Sequence, residues 1–357
     1  MKIGIVLHPF DEKRPAGLGR YIFELTKEII ERDPESQFII YLKQTPKEKL
    51  NIGSNNWQTV VLGDGYFWLE GLAGTPKADL YIFNTPIMPF FFRPKRSLVI
   101  ALDFAYLDFA SFWQWPKMWP LKLYHRFSLR RATKIIAISE TTKQEVMTRF
   151  GIDRNKIEVI YPGFNPICNL PSQAVATPEK YFLYVGVIKA RKNLLRVVEA
   201  FALFLKDFPK YQLLIVGKGQ GRYYDRVKSL IIKSGISEQV KFVGYVSDQE
   251  LSSLYQKAEA LVFPSLAEGF GFPVLEAMAC GLPVITSNQT STKEIGEAGS
   301  ACLVDPKNSK EISGAMVKIA SNQDFRRLLV ENGQKRSQEF SWRKCAEQFI
   351  KLINDLK

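Results

Sequence analysis

The chain has 357 residues, 46% of them apolar and 24% charged, and its 49 Lys and Arg against 36 Asp and Glu give +13 at neutral pH. That length favours two domains over a single core, and the composition excludes a disordered or fibrous chain. Four cysteines without metal-ligand spacing and only two histidines, His8 and His125, argue against a disulfide framework, a zinc site or a paired-histidine mechanism, and a reduced, cytoplasmic setting is expected.

In chain order, Met1–His8 reads as a first strand, with an apolar run too short for a signal peptide and no cleavage site after it. Strands are predicted over Ile3–Leu7, Phe38–Leu42, Thr59–Leu62, Leu80–Phe83, Leu98–Leu102 and Lys134–Ile138, with helices over Gly19–Arg32 and Thr142–Arg149. Thr142 and Glu145 stand at capping-box spacing. The most apolar window, Leu80–Phe92, is broken by Asn84, Thr85, Pro86 and Pro89. It falls short of the ~20 residues of a spanning helix, so a protein not integral to a membrane is expected. The proline-rich stretch Tyr161–Lys180 reads as a linker. After it come strands at Tyr181–Val185, Tyr211–Val216, Val240–Val243, Ala260–Phe263, Pro283–Thr286 and Ala301–Leu303. Helices are predicted at Leu194–Lys206, Tyr223–Ser234, Asp248–Lys257, Phe272–Ala279, Ser309–Ile319 and Trp342–Leu356. Alternating strand and helix implies two parallel, doubly wound sheets, an α/β protein of two Rossmann-like domains.

The charge is uneven. Between Arg93 and Lys134, nine basic residues face only Asp103 and Asp108, a net +7, beside Phe104, Phe109, Phe112, Trp113, Trp115 and Trp119, with Phe91 and Phe92 just before them. Basic groups with interfacial aromatics suit an anionic membrane surface; a solvated basic face over an aromatic-rich core is the alternative. No nucleic-acid-binding motif accompanies the charge, and nucleic acid is not expected as a partner.

Residues 268–276 read Glu-Gly-Phe-Gly-Phe-Pro-Val-Leu-Glu after an apolar strand. Pro273 suits a first helical turn and Gly281 a helix end. The N–H groups of Phe270, Gly271 and Phe272 then lie near a positive helix terminus, which suits an anion. Upstream, Gly186-Val-Ile-Lys-Ala-Arg-Lys-Asn193 follows a strand and opens a helix. Arg191 and Lys192 there are either incidental loop cations or fixed charges for a leaving diphosphate. Glu276 is either a first-turn glutamate favoured by the helix dipole or an acceptor for two ribose hydroxyls. Glu268 is either a surface-loop residue or the group facing a transferred sugar. Gly217-Lys-Gly-Gln-Gly221 imitates a dinucleotide fingerprint, but position 222 is Arg, and NAD binding is rejected. No Asp-x-Asp metal clamp occurs, so metal independence is expected.

This pattern resembles the Glu-x7-Glu signature of retaining glycosyltransferases with the GT-B fold, most closely glycosyltransferase family 4 (glycosyl transferases group 1). The resemblance covers nearly the whole chain: Gly-Leu-Gly at 17–19, Ala-Ile-Ser-Glu at 137–140, Tyr-Pro-Gly at 161–163, Val-Gly-x4-Arg-Lys-Asn at 185–193, Gly-Tyr-Val-Ser-Asp at 244–248 and Leu-Val-Asp-Pro at 303–306. It implies an N-terminal acceptor domain over 1–165, a donor domain over 166–339 and a final helix, about 340–357, packing back on the first domain. It also implies catalytic roles for Glu268, Arg191 and Lys192, and donor contacts from Gly17, Gly19, Val246, Phe270, Gly271, Phe272 and Glu276. Gly17 and Gly19 read equally as an ordinary turn before a helix, and Ser247 with Glu250 as a simple capping box beside Val246.

Many family members carry His-Asp where this chain has Leu102-Asp103, so Asp103 is expected to meet the sugar or the acceptor. The implied activity is retaining transfer of a hexose, mannose before glucose, from a GDP- or UDP-linked sugar to a glycan or lipid-linked hydroxyl. No cofactor is expected, and the enzyme is placed in the cytoplasm or on the inner membrane face. A non-catalytic sugar-nucleotide-binding or membrane-docking homologue and a GT-B sugar-nucleotide epimerase are the alternatives.

Overall fold

A computed structural model describes residues 1–9, 17–46, 49–109, 115–171 and 175–357. The chain divides into two compact units: residues 1–163 with 340–357, and residues 164–339.

Unit 1 is built on a seven-stranded sheet in the order β3-β2-β1-β4-β5-β6-β7. Its strands are β1 (Lys2–Val6), β2 (Gln37–Leu42), β3 (Trp57–Val61), β4 (Leu80–Phe83), β5 (Ser97–Ala101), β6 (Lys134–Ala137) and β7 (Ile157–Val159). Every pairing is parallel. β4 and β5 are buried at every position, as central strands covered on both faces must be, which is why they read as unbroken apolar runs. Helices α1 (Gly17–Arg32), α2 (Trp115–Arg131) and α3 (Glu140–Phe150) belong to this unit, as does the last helix of the chain, over 342–355. That helix packs on α1, with the Tyr21 and Trp342 rings 5.6 Å apart.

Unit 2 has six parallel strands in the order β10-β9-β8-β11-β12-β13: β8 (Tyr181–Val185), β9 (Gln212–Val216), β10 (Val240–Gly244), β11 (Ala260–Phe263), β12 (Val284–Ser287) and β13 (Cys302–Val304). Helices α4 (Leu194–Phe204), α5 (Arg222–Lys233), α6 (Asp248–Lys257), α7 (Phe272–Ala279), α8 (Ser291–Gly296), α9 (Ser309–Ser321) and α10 (Gln323–Ser337) surround it; α11 is Trp342–Asp355. In each sheet the chain winds outward one way and then returns to the far side of its first strand. The order reverses between β1 and β4 in unit 1, and between β8 and β11 in unit 2. Ligands of open α/β sheets bind at the carboxyl ends of the strands flanking such a reversal.

Several local expectations change. Thr142 is not the cap of α3: Ser139 is, its hydroxyl accepting from the Thr142 N–H, while Gly151 ends the helix at φ +64°. The stretch read as a linker contains a short 3-10 turn, Ile167–Asn169, held against α6 and α7, and Gln256 donates to the Cys168 carbonyl at 3.4 Å. β7, α2, α8 and α10 had no counterpart among the predicted elements. All four cysteines are free thiols. Among the described residues no helix is long and apolar enough to cross a membrane.

Candidate active site

The two motifs of the donor half sit on either side of the order reversal in unit 2. β8 ends at Val185 and runs into the loop carrying Arg191 and Lys192; β11 ends at Phe263 and runs into the loop carrying Glu268. Backbone joins them, Leu266 N–H donating to the Arg191 carbonyl at 2.8 Å. Side chains then close the contact. Lys192 pairs with Glu268 Oε1, Arg191 Nη1 lies 3.3 Å from Oε2, and the Ser265 hydroxyl donates to Oε1 at 2.8 Å. Arg191 also donates to the Ala267 carbonyl at 3.1 Å, and the Lys192 ammonium sits 4.5 Å from the centre of the Phe263 ring.

The Glu268 side chain is only 8% exposed and that of Lys192 12%. Two cations and a hydroxyl enclose this carboxylate, and removing one partner leaves a costly buried charge. Below it lies the Tyr184 hydroxyl of β8, fully buried and without a hydrogen-bond partner; burial first, then neighbouring groups including Glu268, push that phenol well above its ordinary range.

The loops are braced by residues with no chemistry of their own. Asn193, held at φ +62°, donates to the carbonyls of Pro264 at 2.9 Å and Pro306 at 2.6 Å. This explains the Leu-Val-Asp-Pro stretch: its proline carbonyl anchors the cationic loop. The rejected dinucleotide-like glycines serve the same loop. Ile188 bridges Gly219, and a Cβ at Gly217 would lie 2.1 Å from the Gly186 oxygen, so only a glycine lets the two backbones meet.

α7 starts at Phe272, with Gly271 as its cap at φ +122° and Pro273 in its first turn. A Cβ at Gly271 would fall 2.8 Å from Thr292 Cγ2. The Ser291 hydroxyl donates to the carbonyls of Glu268 at 2.9 Å and Phe270 at 2.7 Å, pinning the segment just before the helix. Phe270 is buried against Phe272, their rings 5.3 Å apart, and its carbonyl is held by Ser291. One turn on, Glu276 accepts from the Tyr255 hydroxyl of α6 at 3.1 Å. Burial, reinforced by that carboxylate, holds the Tyr255 phenol well above its usual range, so it remains a donor. Val246 lies in the connection between β10 and α6, which ends in a capping box of Ser247 and Glu250. Sequence reasoning missed Ser265, Ser291, Asn193 and Tyr255 as parts of the site. Only Asn193 left a trace, as the third residue of Arg-Lys-Asn.

The remaining candidates belong to unit 1. Gly17 and Gly19 are in the first turn of α1 rather than in a loop before it, because the helix begins two residues earlier than its apolar periodicity indicates. Asp103 follows β5, half-buried, its Oδ1 accepting from Ala105 N–H at 3.3 Å, and the Leu102 carbonyl accepts from the Thr142 hydroxyl at 3.2 Å. Behind it Tyr106 and His125 share a 2.5 Å contact. Burial, and then the charge of Asp103, raise the Tyr106 phenol; burial lowers His125 to about 4. Arg149 grips Asp108 with both terminal nitrogens and reaches Glu145 at 3.1 Å. Burial raises the Glu145 carboxyl against the opposing pull of Arg149.

The basic, aromatic segment is only partly a surface. Phe104 is core, and Arg131 and Lys134 are committed to carbonyls and to Glu158. Trp119 is 54% exposed, with Lys122 6.0 Å from its ring. Phe112 and Trp113 lie outside the described residues, and the side chain of Trp115 is not described. Among the described residues no group of three or more His, Cys, Asp or Glu is arranged to hold a metal ion.

Comparisons with known proteins agree with this geometry. The family model for Glycosyl transferases group 1 matches residues 169–336, and that for Glycosyltransferase Family 4 matches residues 15–166. The O-antigen chain mannosyltransferase B of Escherichia coli is 27% identical, with 98% of each chain covered. The O-antigen chain mannosyltransferase RfbU of Salmonella typhimurium is 33% identical over 57% of each. Among solved structures, Anabaena HepE in complex with UDP and glucose superposes with a TM-score of 0.77 at 19% identity, covering 99% of this chain and 100% of its own. With its two parallel α/β units, and with the cationic loop and the glutamate loop meeting where the strand order reverses, the chain belongs to glycosyltransferase family 4, the glycosyl transferases group 1, and is a glycosyltransferase of the GT-B fold.

Proposed function

We propose that the protein transfers a hexose, mannose in preference to glucose, from a GDP- or UDP-linked donor to a hydroxyl of a glycan or lipid-linked acceptor in cell-surface polysaccharide or lipopolysaccharide synthesis, with retention of configuration. The observation that carries this is the meeting of Arg191 and Lys192 with Glu268 at the order reversal of unit 2. The mannosyltransferase names of the relatives support the sugar, and the UDP and glucose bound to HepE support a nucleotide-sugar donor.

Both cations pair with the Glu268 carboxylate, which offsets one of their two charges. A diphosphate entering beside them takes over part of that pairing and draws both charges toward the bridging oxygen. As the bond from the anomeric carbon to that oxygen breaks, negative charge grows on the diphosphate, and fixed cations stabilise it by about 3–4 kcal/mol in comparable electrostatic sites. The acceptor oxygen bonds to the anomeric carbon on the same face, and its proton passes to the departing diphosphate, so neither a general base nor a metal ion is needed. Glu268 then faces the positive charge developing on the sugar. Glu276, fixed by Tyr255, accepts from ribose hydroxyls, Phe270, Gly271, Phe272 and Val246 border the donor, and Gly17 and Gly19 admit its phosphates. Asp103 holds a hydroxyl of the sugar or the acceptor. The exposed basic and aromatic groups of segment 93–134 contact an anionic membrane surface, which makes the enzyme peripheral on the cytoplasmic face.

Thermal unfolding in the presence of GDP-mannose, UDP-glucose and their congeners tests this reading. A true donor at about 100 times its dissociation constant adds about 2.7 kcal/mol to stability. Stabilisation by none of the panel would reject it, and the anomeric configuration of the product, read by NMR, decides the stereochemistry. A homologue that binds donor without turnover is the second reading, favoured by Leu102 at the end of β5; slow donor hydrolysis without acceptor counts against it.

A further inference from the structure

The carboxyl edge of the unit 1 sheet leads to Asp103. The opposite edge, where β1, β4 and β5 begin, borders an open cavity of about 970 Å³ whose lining includes Lys77, Arg93, Lys95 and Arg96. None of these four side chains has a salt-bridge partner among the described residues. Asp79, also in the lining, accepts from the Lys2 N–H at 2.8 Å.

The cationic wall is built rather than loose. The Glu70 carboxylate collects the N–H groups of Phe90, Phe91 and Phe92 at 2.5, 3.1 and 3.2 Å. On the other side of the same backbone, the Arg131 guanidinium donates to the carbonyls of Pro89, Phe90 and Phe92 at 2.7, 3.1 and 3.2 Å. Phe92 turns inward, edge-on to Tyr81 at 5.2 Å. Phe91, held between these anchors, is left 86% exposed. A turn fixed from both sides thus holds an aromatic ring in water beside four unpaired cations, and no packing inside unit 1 accounts for that ring.

We propose that this groove docks the protein on an anionic lipid bilayer. Lipid phosphates enter among Lys77, Arg93, Lys95 and Arg96, and Phe91 seats at the boundary between headgroups and acyl chains. A free phosphate satisfies the cations but leaves Phe91 without a role; a bilayer surface satisfies both. The inference rests on the membrane contact proposed above for segment 93–134 and narrows it to the groove, adding Lys77 and Phe91 to Arg93, Lys95 and Arg96. β5, five residues and roughly 16 Å long, lies between Arg96 and Asp103, so docking here leaves the carboxyl edge of the sheet unobstructed.

The test is co-sedimentation of the full chain with phosphatidylcholine vesicles with and without phosphatidylglycerol. The variant Lys77→Ser/Arg93→Ser/Lys95→Ser/Arg96→Ser should bind phosphatidylglycerol vesicles about a thousandfold more weakly, while Lys122→Ser/Arg126→Ser/Arg130→Ser on α2 changes binding by less than about fivefold. Phe91→Trp, which leaves every charge in place, should show a blue-shifted emission with phosphatidylglycerol vesicles and none with inorganic phosphate. Loss of binding in the α2 variant alone overturns the groove and leaves the membrane contact standing. No binding by the unaltered protein overturns both. Displacement from vesicles by millimolar phosphate, with no shift from Phe91→Trp, makes this a small-anion site and overturns the lipid assignment.

Discussion

The two units share one plan and use it differently. Each is a parallel sheet with a single order reversal. In unit 2 the charged residues converge on the carboxyl edge at that reversal, where Arg191 and Lys192 both pair with Glu268. In unit 1 the carboxyl edge holds Asp103 and the Arg149 network with Asp108 and Glu145, while four unpaired cations stand at the amino edge. A fold of this kind thus has two usable ends. The end proposed for chemistry is marked by charges held in mutual contact, and the end proposed to meet a membrane by charges left unsatisfied.

The largest test of this contrast removes one charge from unit 2. Lys192→Ala takes away one of the two cations aimed at the leaving diphosphate, and transfer should fall by about 10²–10³-fold in kcat. A rate within tenfold of the unaltered enzyme breaks the assignment of that edge to the chemistry. The next tests unit 1. His125 is 5% exposed, and burial lowers it from 6.5 to about 4. The unfolded chain therefore takes up a proton that the folded chain refuses between those values. The stability contributed by neutral His125 is complete above pH 6.5 and is lost as pH falls toward 4, by up to about 3 kcal/mol. Urea midpoints at neutral and acid pH should fall less for His125→Gln than for the unaltered protein; parallel curves show that the network behind Asp103 is open to water. The smallest effect concerns the ribose contact. Tyr255→Phe removes one hydrogen bond to the Glu276 carboxylate and should raise the donor KM by about tenfold with little change in kcat. A fall in kcat alone would take Glu276 out of donor binding.

The same contrast explains what could be seen in advance. β8, β11, α6 and α7 were legible to the residue because their signals are local: unbroken apolar runs, Ser247 with Glu250, and Pro273 after glycine. The charged loops were legible because each follows a strand directly. Tyr255 and Ser291 were not, since neither lies in a motif and only tertiary packing brings them to Glu276 and to the backbone before α7. α2 escaped notice because Pro120 sits inside it and its apolar residues keep to no single face. α10 is mostly polar and buries few side chains, so periodicity has little to detect. Phe104, counted with the basic surface, is core, because composition gives neighbours in sequence and not the face they share.

Gly163 lies against the backbone of Ser341 and Trp342, where an added Cβ would come within 2.1 Å of the Trp342 nitrogen. The chain thus leaves unit 1 and rejoins it at a single point, with all of unit 2 as the insertion between. The usual order of synthesis is thereby inverted: residues 164–339 form a closed body that can mature first, whereas the amino-terminal half must wait for the last helix to emerge from the ribosome before α1 has its partner. A nascent chain stalled before residue 342 leaves the face of α1 that meets this helix bare until α11 is made.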